Sequence, residues 1–296
     1  MKPYRRSLGD SLFQISNYTL LTLISLSFVL PFVIMLSSSL VSESELIQRG
    51  NFILIPRQLN LAAYEALLGK GSLIYNAYGI TILRVIVGTL FNLIFTAMMA
   101  YGLSRRELPG RKGLMLLVLI TMLIGGGLIP NYLLMKSLHL IDSFWVMILP
   151  GLISAWNLII MRNFFMQLPD GLEESATIDG ASPLAILLRI VIPLSMPTIA
   201  TIGLFYAVGH WNAWFDAAIY INDIHLRPLQ LFLRQIVLSL TSEELQRQTV
   251  VSMSDRPTAQ SLKSAAIIVT TVPILCVYPF LQKHFVKGVL TGSIKG

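Results

Sequence analysis

Four carboxylates gather in one short stretch of an otherwise apolar chain. Asp170, Glu173, Glu174 and Asp179 lie within LPDGLEESATIDGASPLAILLRIVIPLSMP, residues 168–197. Their types suit capping and ion pairing. Glu174 can pair with an Arg or Lys on another protein, and Asp179 can cap a helix through Ser182 or receive a partner's donor. A second polar set, His210, Trp211, Asn212, Trp214 and Asp216, interrupts a later apolar run. These residues are too polar for a lipid-facing helix centre, so their face is expected to be buried or wet. Aromatic rings beside amides suit sugars, because ring faces stack on C–H groups while amides bind hydroxyls. Asn157, next to Trp156, is a further candidate for such a path. The plainer account is an interfacial aromatic belt with interhelical hydrogen bonds.

Catalytic patterns are missing. Gly69–Lys70–Gly71 comes nearest to a phosphate-binding loop, but no Ser or Thr follows the Lys and Tyr64 stands where the first Gly should be. His139, His210, His225 and His284 are scattered, without HExxH or a cysteine pair, and no GxSxG elbow occurs. If ATP drives a process here, a separate subunit must hold it.

The first set needs two short helices to position it. Asp170 is expected to cap one, with Glu173 and Glu174 in its first turn favoured by the macrodipole. Gly180 supplies the turn, since Gly adopts the left-handed conformation without steric cost. Ser182 caps the second helix, with Pro183 at its first position. Leu184, Leu187, Leu188 and Val191 should form its apolar stripe, while Ser175, Ala176 and Ala181 would let another surface approach closely. A knob able to enter a partner's cleft and a plain connecting loop with solvated acids account for these residues equally well.

Of the 296 residues, 54% are hydrophobic and 12% charged, against about 25% charged in soluble domains. Mean hydropathy is +0.70. This is the composition of a polytopic membrane protein, helical rather than a barrel. The net charge of +7 comes from basic residues that are dispersed or flank apolar runs, which fits membrane orientation better than nucleic-acid binding. Cys276 stands alone in an apolar run, so no disulfide framework exists. The first apolar segment is long enough to span, and no cleavable signal peptide is expected.

Six spans are expected, at roughly 18–38, 76–103, 114–135, 143–161, 198–220 and 262–281. Residues 1–17 form a lead, 18–284 one transmembrane domain, and 285–296 a tail. Arg105, Arg106, Arg111 and Lys112 place their loop in the cytoplasm by the positive-inside rule, so the 168–197 loop and both termini are cytoplasmic too. Arg84 is expected to snorkel or pack, with a cavity-facing position as the alternative. Gly125, Gly126 and Gly127 suggest close helix packing, a hinge being the sharper alternative. The outer loop 221–261 should carry a short amphipathic helix near 229–240, and Arg227, Arg234, Arg247, Arg256 and Lys263 make that side basic.

The spacing of Glu174, Ser175, Ala176, Gly180, Ile190, Ile192 and Pro193 resembles the EAA loop of ABC-importer permeases. Ser175 replaces the first Ala of the pattern, and Ile192 a common Leu. IDGAS at 178–182 with Pro193–Leu194, Trp211–Asn212, and the terminal FVKGVLTGSIKG are similar to the carbohydrate branch, including the maltose-type permeases. The resemblance implies an all-α type I importer permease of about six spans with a coupling helix pair. It implies that Glu173, Glu174, Ser175, Ala176, Asp179, Gly180, Ala181, Ile190 and Pro193 meet an ATP-binding subunit. Lys287, Gly288, Gly292 and Lys295 in the tail would touch that subunit as well. It further implies a second homologous permease, two ATP-binding subunits and an extracytoplasmic solute-binding protein, in a bacterial inner membrane. This chain would bind no cofactor, ATP and Mg belonging to the partner. The expected cargo is an oligosaccharide, possibly acidic. An amino-acid or peptide permease is the runner-up. An ion-coupled transporter would need acids deep in its spans, whereas those here fall almost entirely in loops and at span ends.

Overall fold

Lipid offers no partner to an N–H or C=O, so a spanning segment must satisfy its own backbone, and helices do this. The computed structural model describes residues 8–50, 52–247 and 258–293, and among these it contains helices and no strand. In chain order they are α1 (Leu8–Ser39), α2 (Glu43–Arg49), α3 (Ala62–Leu68), α4 (Ile74–Ser104), α5 (Arg111–Leu123), α6 (Leu128–Ser137), α7 (Ala155–Phe165), α8 (Asp170–Ile178), α9 (Pro183–Leu194), α10 (Met196–Asn212), α11 (Phe215–Tyr220), α12 (Leu229–Arg247) and α13 (Ala259–Ser293). Tight 3-10 turns at Phe144–Met147 and Leu149–Gly151 precede α7.

Three of the described helices are long and apolar enough to span, α1, α4 and the Ala259–Cys276 part of α13, and three sharply bent pairs bring the total to six if each counts as one span. The bends are 114° between α5 and α6, 52° between Phe144–Gly151 and α7, and 88° between α9 and α10. The spans expected at 114–135 and 143–161 are therefore bent, whereas the third bend precedes the span expected at 198–220, which is interrupted at Ala213–Trp214. The glycine triplet lies at the first break. Gly127 has φ +81°, and a Cβ on Gly125 would meet nothing within 4 Å. The helix expected near 229–240 extends to Arg247.

The chain divides into two compact units. One holds α1, α2 and α3 with Gln235–Val272. In it Val41, Leu46 and Ile53 form a small core, and the Ser39 and Tyr64 hydroxyls lie 2.7 Å apart. Glu45 pairs with Arg49 and accepts the Arg57 N–H at 3.0 and 3.2 Å. That N–H, with Arg49, holds the Glu45 carboxyl below its ordinary value although burial pushes the other way.

The other unit contains Leu73–Arg234. Its main core joins α4, α5, α7, α9 and α10. Ala100, Val118, Leu158, Met161 and Phe165 meet Ile186, Leu187, Val191, Ile202 and Tyr206 there. A second cluster, Met135, Val146, Met147, Ala217, Ile221 and Leu231, packs α6, the 3-10 turn and α11 together.

Candidate functional site

Each intramembrane break frees backbone groups that lipid cannot satisfy, at several kcal/mol apiece. At the break around Met147–Leu152, one face of α4 serves them. Thr81, Arg84, Gly88, Asn92 and Thr96 recur three or four residues apart, the spacing of a single helix face, and all are buried. Thr81 Oγ1 accepts the Leu229 N–H at 2.8 Å, where α12 begins. Arg84 donates to the Met147 carbonyl at 3.1 Å and pairs with both carboxylate oxygens of Asp216. Asp216 in turn accepts the Ala217 N–H at 2.8 Å, in the first turn of α11. Asn92 donates to the Gly151 and Leu152 carbonyls at 2.8 and 2.7 Å. The Thr96 hydroxyl lies 2.8 Å from that of Tyr206, which accepts the Ser154 N–H at 3.0 Å.

Asn92 Oδ1 also lies 2.7 Å from His210 Nε2. Gly88 makes room for that ring: a Cβ there would collide with the imidazole, 2.7 Å from Cε1. Around this assembly is a cavity of about 550 Å³ lined by Arg84, Asn157, Tyr206, His210, Asp216 and Tyr220, among others. Arg84 is therefore buried in an ion pair at a cavity wall, and it does not snorkel. The stripe is missed when each polar residue of the sequence is weighed alone. Its repeat at helical spacing is the available signal.

Of the candidate path residues, Asn157 and His210 line the cavity, whereas Trp211, Asn212 and Trp214 are not among its lining residues. Trp214 is covered by the Arg234 guanidinium, 3.8 Å from the ring centroid, and Phe215 meets it edge-on. This contact also occupies one of the cations expected to make the outer side basic.

At the end of α7 stands the helix pair α8–α9. Gly180 has φ +80°, and Ser182 caps α9 by accepting the Ala185 N–H at 3.3 Å, with Pro183 first in the helix. Asp170 is the first residue of α8 and not its cap, because Pro169 occupies the capping position. Asp179 ends α8 and makes no cap for α9, since the Ser182 hydroxyl fills that place. The expected stripe on α9 also shifts: Ile186, Leu187 and Val191 are buried, while Leu184 and Leu188 are exposed. A π turn spans Leu187–Val191.

The small residues divide between two jobs. Ala176 and Ala181, partly buried, pack against the chain's own core and seat the pair. Ser175 is exposed, its hydroxyl returning to the Gly171 carbonyl at 2.5 Å. Glu173 turns inward to an ion pair with Arg105, whose guanidinium also lies 4.1 Å from the Tyr101 ring centroid. Glu174, Ile178, Asp179 and Gly180 are exposed at the tip. Ile190 is half-buried against the core and Pro193 is exposed. The surroundings of Lys287, Gly288 and Gly292, and all of Lys295, lie outside the described residues.

Up to six spans, with a cavity that Arg84, Asp216 and His210 help to line and a seated helix pair at one end, define a membrane permease. The chain belongs to the family of binding-protein-dependent transport system inner membrane components, whose pattern matches residues 113–291. It is 46% identical over 287 residues to the polygalacturonan/rhamnogalacturonan transport system permease protein YtcP of Bacillus subtilis (strain 168), covering 97% of this chain and 99% of that one. It is 45% identical to protein LplC of the same organism over 288 residues, 96% and 95% of the two chains. A solved chain from a bacterial ABC transporter involved in the import of the acidic polysaccharide alginate superposes with TM-score 0.84 at 30% identity, over 94% of this chain and 98% of that one.

Proposed function

We propose that this permease imports acidic oligosaccharides, of the kind released from uronic-acid polysaccharides, in an ATP-driven complex. The observation that carries the substrate class is the likeness, over nearly the full length of both chains, to the polygalacturonan/rhamnogalacturonan permease. The alginate importer supports the same class.

In this reading the exposed tip of α8–α9 docks on an ATP-binding subunit, which holds the ATP and Mg while this chain binds no cofactor. A second permease completes the path, a solute-binding protein docks at the 221–261 side, and both termini face the cytoplasm. Closure of the ATPase would pull on α8–α9, and the core residues Ile186, Leu187 and Val191 would pass the motion to α4, α7 and α10.

Uptake by cells lacking and then regaining the gene tests the substrate class. Restored uptake of galacturonate oligomers, with neutral oligomers of equal length left outside, is expected. Restored uptake of the neutral oligomers alone would overturn it.

A further inference from the structure

Where α4 ends, α5 begins and α7 ends, four cations surround one cavity of about 800 Å³: Arg106, Arg111, Lys112 and Arg162. The remaining lining is Leu108, Gly110, Met115, Leu116 and Leu119, with no carboxylate. Among the described residues none of the four forms an ion pair. Their hydrogen-bond partners are neutral: Arg162 donates to the Leu103 carbonyl at 2.9 Å and to Asn163 at 3.1 Å, and Arg111 contacts Met166 Sδ at 3.2 Å. Gly110 caps α5 without a side chain, and the Arg111 N–H goes to the Leu108 carbonyl at 3.3 Å. Positive charge concentrated this way attracts an anion.

The apolar wall narrows the choice of anion. Leu116 and Leu119 are 58% and 44% exposed, one and two turns along α5 from the cations. A free anion would occupy the charges and leave these leucines uncovered. A phospholipid would set its phosphate among the guanidinium groups and lay acyl chains along Met115, Leu116 and Leu119. Basic pockets between membrane helices bind anionic headgroups in this way. We infer that the cavity bounded by Arg106, Arg111, Lys112 and Arg162 is a binding site for an anionic phospholipid.

The test is native mass spectrometry of the full chain in micelles containing equal phosphatidylglycerol and phosphatidylcholine. The wild type should retain phosphatidylglycerol preferentially. Arg106→Gln with Lys112→Gln, both exposed side chains, should weaken that preference by about thirtyfold. The charge-conserving pair Arg106→Lys with Lys112→Arg should keep it. Wild-type preference in the neutral pair would overturn the assignment. So would an equal loss in a control pair, Lys136→Gln with Arg189→Gln, or displacement of the lipid by equimolar inorganic phosphate. Should the neutral pair fail to fold, a photoreactive phosphatidylglycerol on the wild type decides: labelling within 106–119 supports the site, and labelling confined elsewhere contradicts it.

Discussion

Arg84 and Asp216, 132 residues apart in sequence, form an ion pair whose two members also serve the broken ends of neighbouring helices. The buried guanidinium reaches the Met147 carbonyl while the half-buried carboxylate takes the Ala217 N–H. Removing the carboxylate leaves a buried cation uncompensated, at about 3 kcal/mol or more. Arg84→Gln and Asp216→Asn should each lower the melting temperature in detergent. Exchanging the two residues should not restore it, because an Asp at position 84 cannot donate to Met147. A wild-type melting temperature in the exchanged variant would contradict this arrangement.

Gly88 and His210 form a second coupled pair. Gly88→Ala should cost about 1–3 kcal/mol, the usual range for forcing atoms into a packed site. In a His210→Ala background the same change should cost little, since the ring it strikes is gone. Denaturation of the four proteins in this double-mutant cycle measures the difference. Equal costs in both backgrounds would refute the contact.

The Arg105–Glu173 pair is partly exposed, so its direct contribution to stability is at most about 1 kcal/mol. Its role is to orient α8. Glu173→Lys should therefore reduce ATP-driven uptake severalfold with little change in melting temperature, and Arg105→Glu added to it should recover much of the loss. Uptake measured beside thermal unfolding checks both halves.

Glu45 gives a pH prediction. Its carboxyl titrates below its ordinary value of 4.5 in the folded chain, so its contribution is complete above that pH. It fades as pH falls through the lower, folded value. Hydrogen exchange at the Arg57 amide, corrected for intrinsic rate, should show protection lost on acidification. Glu45→Gln should weaken that protection already at neutral pH.

What is legible in the sequence is local. Gly180, Ser182 and Pro183 act within a turn of where they stand, and their roles follow from residue type. The fold class follows from composition and the six apolar runs. What stays hidden depends on partners distant in the chain. Arg234 lies over the Trp214 ring and Ala176 packs on the core, contacts that no local spacing announces. Leu184 and Leu188 fall on the exposed face because the core lies on the side of Ile186, Leu187 and Val191, a choice among apolar residues that residue type does not mark. The stripe on α4 is readable in principle, from a polar or small residue at every helical turn of an apolar span.

The central claim is that the tip of α8–α9 is where an ATP-binding subunit takes hold. Ile178 is 85% exposed there, and Leu138, 55% exposed beyond the end of α6, is the control. Each is changed to Cys in a Cys276→Ser chain co-expressed with the ATP-binding subunit and treated with a short thiol crosslinker. The account predicts a link to that subunit from Ile178→Cys and none from Leu138→Cys; a link from Leu138→Cys with none from Ile178→Cys would contradict it.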